Sequence, residues 1–476
     1  MTTTVPKPSA PNALQMLHWI FDPIGYQQQN FRQCGDVMDI SGALAGGWMQ
    51  GSTTPGNRVL MVSHPEGLQQ ILTQDTGSVF AAPGEVNSIF KPLLGEYSVI
   101  LLSGSAHRRR RQMITPPFHG ERLKAYGDLI VEIATRTLGA VAVGDVVNAR
   151  EHMQHMTMQV ILQAVFGLYA GDRYDRLAKL LADRLNMTSD PVSSMVIFFP
   201  WMQRDWGAWS PGAKIQAMEA ATNALIFQEI HERREQGFRD RRDVLSLLMM
   251  AEDESGQGLT DQELRDELMT LLIAGHETTA TALTWACYWI HRLPTVRQKL
   301  LEELATLGDN WDPMAMMGLP YLEAVCQETL RIHPVAMLTF PRRVEQPVSV
   351  LGYDLVPGDL IMGSITLIHQ REDLYPQPQE FRPERFLERQ FSPYEFVSFG
   401  GGVRRCVGAA LAMYEMKLIL GTWLRQSSFT LESTTTLKPQ RRGLTVSPSG
   451  DVLLRKGETA LADRPTATLS AASAHS

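Results

Sequence analysis

The stretch from about Asp261 to Leu293 constrains the fold of this chain more than any other. Thr260 and Glu263 form a T-x-x-E capping box at its start, in which each residue satisfies a backbone N–H of the other. Pro294 marks its end. At 1.5 Å per residue, the helix predicted between them runs roughly 50 Å, long enough to cross a whole domain. Its middle, LMTLLIAGHETTATALTWA, is almost continuously apolar, which predicts burial on most faces rather than along one stripe. Into that buried helix the sequence places Gly275, His276, Glu277, Thr278 and Thr279. A mid-helix glycine costs about 1 kcal/mol relative to alanine. A buried carboxylate costs more unless it is paired or hydrogen-bonded. Local rules broken together at one spot point to function.

Helical patterns dominate from about 120 to 330. Strand and turn pieces flank them. RVLMV at Arg58–Val62 reads as a strand, followed by a helix from Pro65 carrying Leu68, Ile71 and Leu72. VSVLGYDLVPGDLIMGS reads as short strands and turns, and a helical pattern returns at 407–424. Strands at both ends of a helical middle predict one interlocked domain over 21–456, mainly α with small β-sheets. Residues 1–20 read as a Pro-rich extended lead-in, and 457–476, rich in Ala, Ser and Thr, as a disordered tail. The 476 residues, 44% hydrophobic, supply a large core, and the formal charge of −7 argues against a nucleic-acid binder. No apolar run of about 18 residues and no signal-peptide pattern opens the chain, so the expected setting is the cytoplasm without a transmembrane anchor.

The chain has four cysteines, Cys34, Cys287, Cys326 and Cys406, with no close pairing and no CxxC spacing, which fits a reducing compartment. Cys406 stands in FGGGVRRCVG, Phe399 to Gly408, ahead of an apolar helix whose packing face carries Leu411, Tyr414, Leu418 and Leu420. This predicts Cys406 at a helix N-terminus, where the dipole and free N–H groups lower a thiol pKa and favour thiolate. The glycines let backbone approach a planar ligand, and Phe399 can shield the sulfur. On its own, a lone cysteine behind glycines is as readily a small buried residue.

The segment resembles the cytochrome P450 superfamily signature F-x-x-G-x-R-x-C-x-G at every specified position, through Phe399, Gly402, Arg404, Cys406 and Gly408. Three further segments resemble the same family in the same order. Ala274–Thr279 matches its A/G-G-x-D/E-T-T/S helix motif, Glu328–Arg331 matches E-x-x-R, and Pro383–Phe386 supplies P-E-R-F. E-x-x-R by itself is the pattern of an ordinary exposed ion pair. The resemblance implies the cytochrome P450 fold with the long helix over a haem, and haem b with the Cys406 thiolate as axial ligand. It implies a structural network of Glu328, Arg331 and Arg385 that holds the cysteine loop. Within HRRRR, His107 and Arg111 are i,i+4 neighbours, and the resemblance turns both toward the haem propionates, together with Arg342 and Arg404. It sets Ala274 and Gly275 against the haem, with Gly275 leaving room for O2, and makes Glu277 and Thr278 the proton relay. His276 reads as a packed or polar-network residue. The other arginines of the run, with Arg405 and Lys417, form either a docking face for an acidic redox partner or a plain solvated face.

The implied activity is insertion of one oxygen atom from O2 into a small apolar substrate. No ferredoxin-type cysteine cluster or flavin segment is visible, so a separate ferredoxin or flavodoxin with its reductase is the expected electron source. By resemblance, the pocket draws on Phe80–Tyr97, Phe198–Trp201, Ile273–Thr278, Val335–Phe340 and Gly443–Val446. Their apolar character suits a fatty acid or a related hydrocarbon or terpenoid, as in fatty-acid-hydroxylating members and a cyanobacterial group. Arg441 or Arg442 is a candidate for holding a carboxylate, or is simply exposed. FFPWMQRDW reads either as an entrance lid with peripheral membrane contact or as core. A monomer is expected. Two alternatives stand beside this reading. A peroxide-using haem-thiolate enzyme or isomerase is disfavoured by the intact Glu277–Thr278 pair. A haem-based sensor or ligand carrier is disfavoured by the absence of a visible signalling segment.

Overall fold

In the computed structural model, which describes residues 4–44, 54–309, 311–433 and 435–458, the capping box forms as read. Thr260 Oγ1 accepts from the Glu263 N–H at 3.3 Å, and Glu263 Oε2 accepts from the Thr260 N–H at 2.9 Å. From this cap the central helix runs Asp261–Arg292, and Pro294 opens the next helix, Pro294–Ala305. Residues from Leu264 to Ile290 are buried on nearly every face. The explanation is packing on several sides: the helix Ala149–Phe166 lies along it, with Ala409–Gln426 and Pro320–Ile332 on other faces. These helices share the main hydrophobic core.

Five short strands form the largest sheet, in the order Val37–Asp39, Val59–Val62, Leu360–Gly363, Arg342–Val344 and Phe80–Ala81. Val59–Val62 pairs with Leu360–Gly363 in parallel, so segments about 300 positions apart close one sheet. Val146–Asn148, Leu453–Lys456 and Phe429–Leu431 make a second sheet that returns the chain end to the start of the helix Ala149–Phe166. Pro439–Arg442 and Thr445–Pro448 form a hairpin. The result is a mainly α fold with small sheets, in which both chain ends support the helical middle.

The lead-in reading of residues 1–20 needs correction. Asn12–Phe21 is a helix, and its Trp19 and Ile20 are buried, because they pack on the first sheet and the C-terminal hairpin instead of trailing into solvent. The tail beyond Glu458 lies outside the described residues. Among the described residues, no helix is long and apolar enough to cross a membrane.

Candidate functional site

A cavity of about 520 Å³ lies between the central helix and the loop Ser398–Gly408. Ala274 sits at the middle of a buried helix and is nevertheless exposed, while Leu272, His276, Glu277 and Thr279 around it are buried. Its exposure is therefore to the cavity. Cys406 behaves alike: it is exposed, yet it lines this cavity from deep within the fold. Cys34, Cys287 and Cys326 are free and buried. Burial pushes the Cys326 thiol up to about 12 and raises the other two. Only Cys406 is free to meet a ligand.

The expected lowering of the Cys406 thiol pKa does not occur. Burial raises it, and this outweighs the opposing pull of the Gly408 N–H, Arg111 and Arg405. The helix starts at Ala409 with Gly408 as its cap, so the sulfur lies ahead of the helix end and one backbone N–H reaches it. A bound metal cation deprotonates a coordinating thiol outright, so binding one would make this sulfur a thiolate.

The loop is pinned from several sides. Gly402 has φ +61°, and a Cβ there would stand 2.0 Å from Asp75 Oδ2. That carboxylate oxygen accepts from the Val403 N–H at 3.0 Å and from Arg342 Nε at 2.9 Å. Arg342 also donates to the Phe340 carbonyl at 2.6 Å and to the Gly401 carbonyl at 2.9 Å. It is 1% exposed and does not line the cavity. Arg342 is thus a loop anchor, and Asp75, which the sequence reading overlooked, is its counter-ion.

Glu328, Arg331 and Arg385 form one buried cluster. Arg331 Nε and Nη2 donate to Glu328 at 2.6 and 2.8 Å, and Arg385 Nε donates to it at 3.1 Å. Arg331 Nη1 continues to the carbonyls of His369 and Pro378. The cluster reaches the loop through two bridges. Ser398 Oγ donates to the Leu330 carbonyl at 3.1 Å. His369 Nε2 accepts from the Val397 N–H at 3.0 Å while Nδ1 lies 3.2 Å from the Arg331 carbonyl, which sets the tautomer with hydrogen on Nδ1. Burial and Arg331 push the His369 pKa down to about 3, so the ring stays neutral.

His107 and Arg111, on the helix Gly104–Ile114, line the cavity with Arg404 and Phe399. Burial, then Arg404, Arg111 and Arg342, lower the His107 pKa to about 3, so it is a neutral donor. Arg404 donates to the carbonyls of Val99, Ala82 and Leu102 at 2.9, 2.6 and 2.5 Å, while its buried Nε has no partner. The proposed docking face loses two members. Arg110 is buried against Glu267 and Glu263, and Lys417 is buried against the Met317 carbonyl and Glu323. Arg108 and Arg405 remain exposed.

On the central helix, Thr278 Oγ1 donates to the Ala274 carbonyl at 2.5 Å, which leaves its lone pairs as acceptors. Glu277 is not an open shuttle. It pairs with Arg150, accepts from Gln154 Nε2 at 3.0 Å and stands 3.5 Å from Arg442 Nε. Gly275 answers to packing: a Cβ would meet Ile161 Cδ1 at 2.7 Å on the neighbouring helix. His276 Nδ1 lies 2.7 Å from Thr157 Oγ1, and burial lowers its pKa to about 4, so it is a neutral network residue as read.

The expected pocket segments contribute unevenly. Ile273–Thr278 lines the cavity throughout, as do most of 335–340, Ile89–Leu94 in part, and Leu444 and Thr445. Trp201 does not. It is 59% exposed, and Trp206 and Trp209 are 56% and 76% exposed, so these tryptophans are not core. Arg441 is buried on the carbonyls of Ile20 and Trp19, away from the cavity, whereas Arg442 lines it. Sequence reasoning missed Met158, Ile161, Leu181, Arg184 and Arg150, whose roles arise from contacts between distant helices.

The family model described as Cytochrome P450 matches residues 47–455. "Putative cytochrome P450 138" of Mycobacterium tuberculosis is 35% identical over 405 residues, 84% of this chain and 87% of that protein. "Putative cytochrome P450 135B1" of the same species is 33% identical over 398 residues, 83% of this chain and 82% of that protein. Among solved structures, one described as "Retinoic acid bound cyanobacterial CYP120A1" superposes with a TM-score of 0.81 at 23% identity, covering 96% of this chain and 99% of that one. The "cytochrome P450DA heme domain" superposes with 0.80 at 22% identity, covering 96% and 98%.

Proposed function

The chain belongs to the cytochrome P450 family of haem-thiolate monooxygenases, and we propose that it hydroxylates a medium- or long-chain fatty acid, or a related hydrocarbon or terpenoid, with Cys406 as the axial thiolate. The observation that carries this reading is the placement of Cys406 and Ala274 on one shared and mostly apolar cavity.

The residues present fit haem b. Cys406 is the one cysteine open to the cavity. Arg111, Arg404 and neutral His107 supply two cations and a donor for two propionates, and the buried Arg404 Nε lacks any protein partner. Ala274 offers only a methyl group toward a flat ring. When bound, the haem with its thiolate ligand supplies O2 activation and O–O cleavage.

The protein supplies position, dryness and protons. Apolar side chains from the central helix and from 335–340 exclude water around the substrate. Thr278, with its hydrogen directed to the Ala274 carbonyl, holds a water through its lone pairs. Glu277 moves a proton to that water only after Arg150 or Arg442 gives way, so the relay is gated by an ion pair. Electrons come from a separate ferredoxin or flavodoxin with its reductase, docking near exposed Arg108 and Arg405 in the cytoplasm.

Two measurements test the reading. The reduced CO complex of the wild type should show the thiolate-type band, Cys326→Ser should keep it, and Cys406→Ser should lose it. A retained band in Cys406→Ser removes the ligand assignment. Fatty acids, alkanes and terpenes should then displace the water on ferric iron and turn over with NAD(P)H, a ferredoxin and its reductase. If none of these classes binds, the substrate assignment fails.

A further inference from the structure

The helix Asp172–Asn186 buries three residues, Leu177, Leu181 and Arg184, spaced as one face. Two leucines at such positions are ordinary. An arginine there is not, because a buried charge without a partner is strongly disfavoured. Arg184 is 8% exposed and lines the cavity. Its Nη2 donates to the Pro92 carbonyl at 3.1 Å, while its buried Nη1 has no hydrogen-bond partner. Among the described residues, no carboxylate lies within ion-pair distance of it. Glu219 attracts it, but Glu219 is engaged by Arg265 at 3.3 Å. Burial lowers the Arg184 pKa to about 10, which leaves it a cation at neutral pH.

The second cavity-lining arginine above the central helix is already committed. Arg442 faces Glu277 and donates to the Ser189 carbonyl at 3.1 Å and to Asn186 Oδ1 at 3.2 Å. Arg442 Nε is unmatched as well, but it faces the Glu277 carboxylate, so Arg184 is the arginine on that side of the cavity with an unmatched donor and no carboxylate partner among the described residues. Guanidinium matches carboxylate in a planar fork, and the rest of its surroundings are apolar.

We propose that Arg184 anchors the carboxylate of an apolar acid substrate and thereby holds the acid end away from Cys406. This rests on the substrate reading above and narrows it to acids. The direction follows from placement. Arg184 shares its neighbourhood with Arg265, and from Arg265 to Ala274 the central helix rises roughly 13 Å. Oxidation then falls on the part of the chain distant from the carboxyl group and spares the carbons beside it.

The test uses the full-length haem-loaded protein, with dodecanoic acid, methyl dodecanoate, dodecanol and dodecane as probes. Binding is read by displacement of the water on ferric iron and independently by equilibrium dialysis. The wild type should prefer the acid to its methyl ester by about tenfold or more, the equivalent of one bidentate charged contact at 1.4 kcal/mol per decade. Arg184→Met should bring that ratio close to one with dodecane binding unchanged. Arg184→Lys should keep part of the preference, and both variants should retain the thiolate-type CO band as proof of folding. Acid preference surviving in Arg184→Met overturns the anchor. Equal binding of ester, alkane and acid by the wild type also overturns it, while leaving the apolar-substrate reading intact. Failure of all four probes to bind removes the substrate reading itself, and the anchor with it.

Discussion

The wall of the cavity that carries Cys406 and the roof formed by Asp172–Asn186 and Pro211–Gln236 are held by different forces. Behind the cysteine wall, buried polar groups are matched across long stretches of chain: Asp75 with Arg342 and Val403, Glu328 with Arg331 and Arg385, His369 with Val397. The roof has one matched buried cluster, Arg233 with Glu229, Asp243 and Ser246, at the C-terminal end of Pro211–Gln236. Its two helices meet through Arg173 with Glu229 and the partly exposed Glu232, and exposed tryptophans stand ahead of the second helix. A matched buried network has few near-degenerate alternatives, whereas apolar sliding and partly solvated pairs do. The sulfur is thereby fixed to one place, while the space above the central helix can admit and release ligands.

Four predictions test that contrast. Glu328→Ala should be the most damaging, since it strands two buried guanidinium groups. About 3–5 kcal/mol of stability should be lost, with haem content and the thiolate-type CO band, whereas Glu232→Ala on the roof should cost far less. Denaturant unfolding of both variants checks this, and equal losses would break the comparison. Asp75→Ala should cost about 3 kcal/mol and yield a CO complex depleted in the thiolate-type band, because Arg342 and the Val403 N–H lose their shared acceptor.

Acid should come next. His107, His276, His291, His333 and His369 are all held neutral by burial, with pKa values lowered to about 3 or 4. The unfolded chain takes up their protons near pH 6.5 and the folded one does not. Stability is therefore complete above that pH and falls as pH drops toward 4, by up to about 1.4 kcal/mol per pH unit for each histidine. His276→Gln should flatten the slope by one such increment, measured by urea unfolding at pH 7 and pH 5. An unchanged slope would mean that this ring is not kept neutral by the fold. Smallest in stability is Thr278→Ala, within about 1 kcal/mol of wild type. Its effect should appear in the ratio of product to NAD(P)H, with hydrogen peroxide released instead. Undiminished coupling would remove Thr278 from the relay.

What could be read from the sequence follows the same divide. The central helix, its cap, the cysteine loop and the Glu328–Arg331–Arg385 cluster are encoded in short patterns, because each depends on residues close in sequence or on a distinctive local spacing. The anchoring role of Arg342 had no signal in the sequence, because its partner Asp75 lies 267 positions away and no local pattern announces an anchor. Gly275 does line the cavity, but the further constraint that Ile161 on the neighbouring helix places on it has no local signal in the sequence. The acidity expected of Cys406 rested on a helix end, whereas burial proved the larger influence. Arg184 did carry a signal: an arginine in register with Leu177 and Leu181 on an amphipathic helix. Its meaning emerged only when the face it shares was seen to open on the cavity.

The anchors of the sulfur also bear on how the protein is made. Asp75 meets Arg342 across 267 positions, and Arg58 meets Asp359 across 301. Contacts at such separations form late, while domains begin to fold from the emerging N-terminus. All of these anchors lie ahead of Cys406 in the chain, so the ribosome delivers the supports first and the sulfur they position last. Loading of the cofactor is thus an event of the finished polypeptide, and a nascent chain arrested ahead of the cysteine loop should leave the ribosome with helices and no pigment.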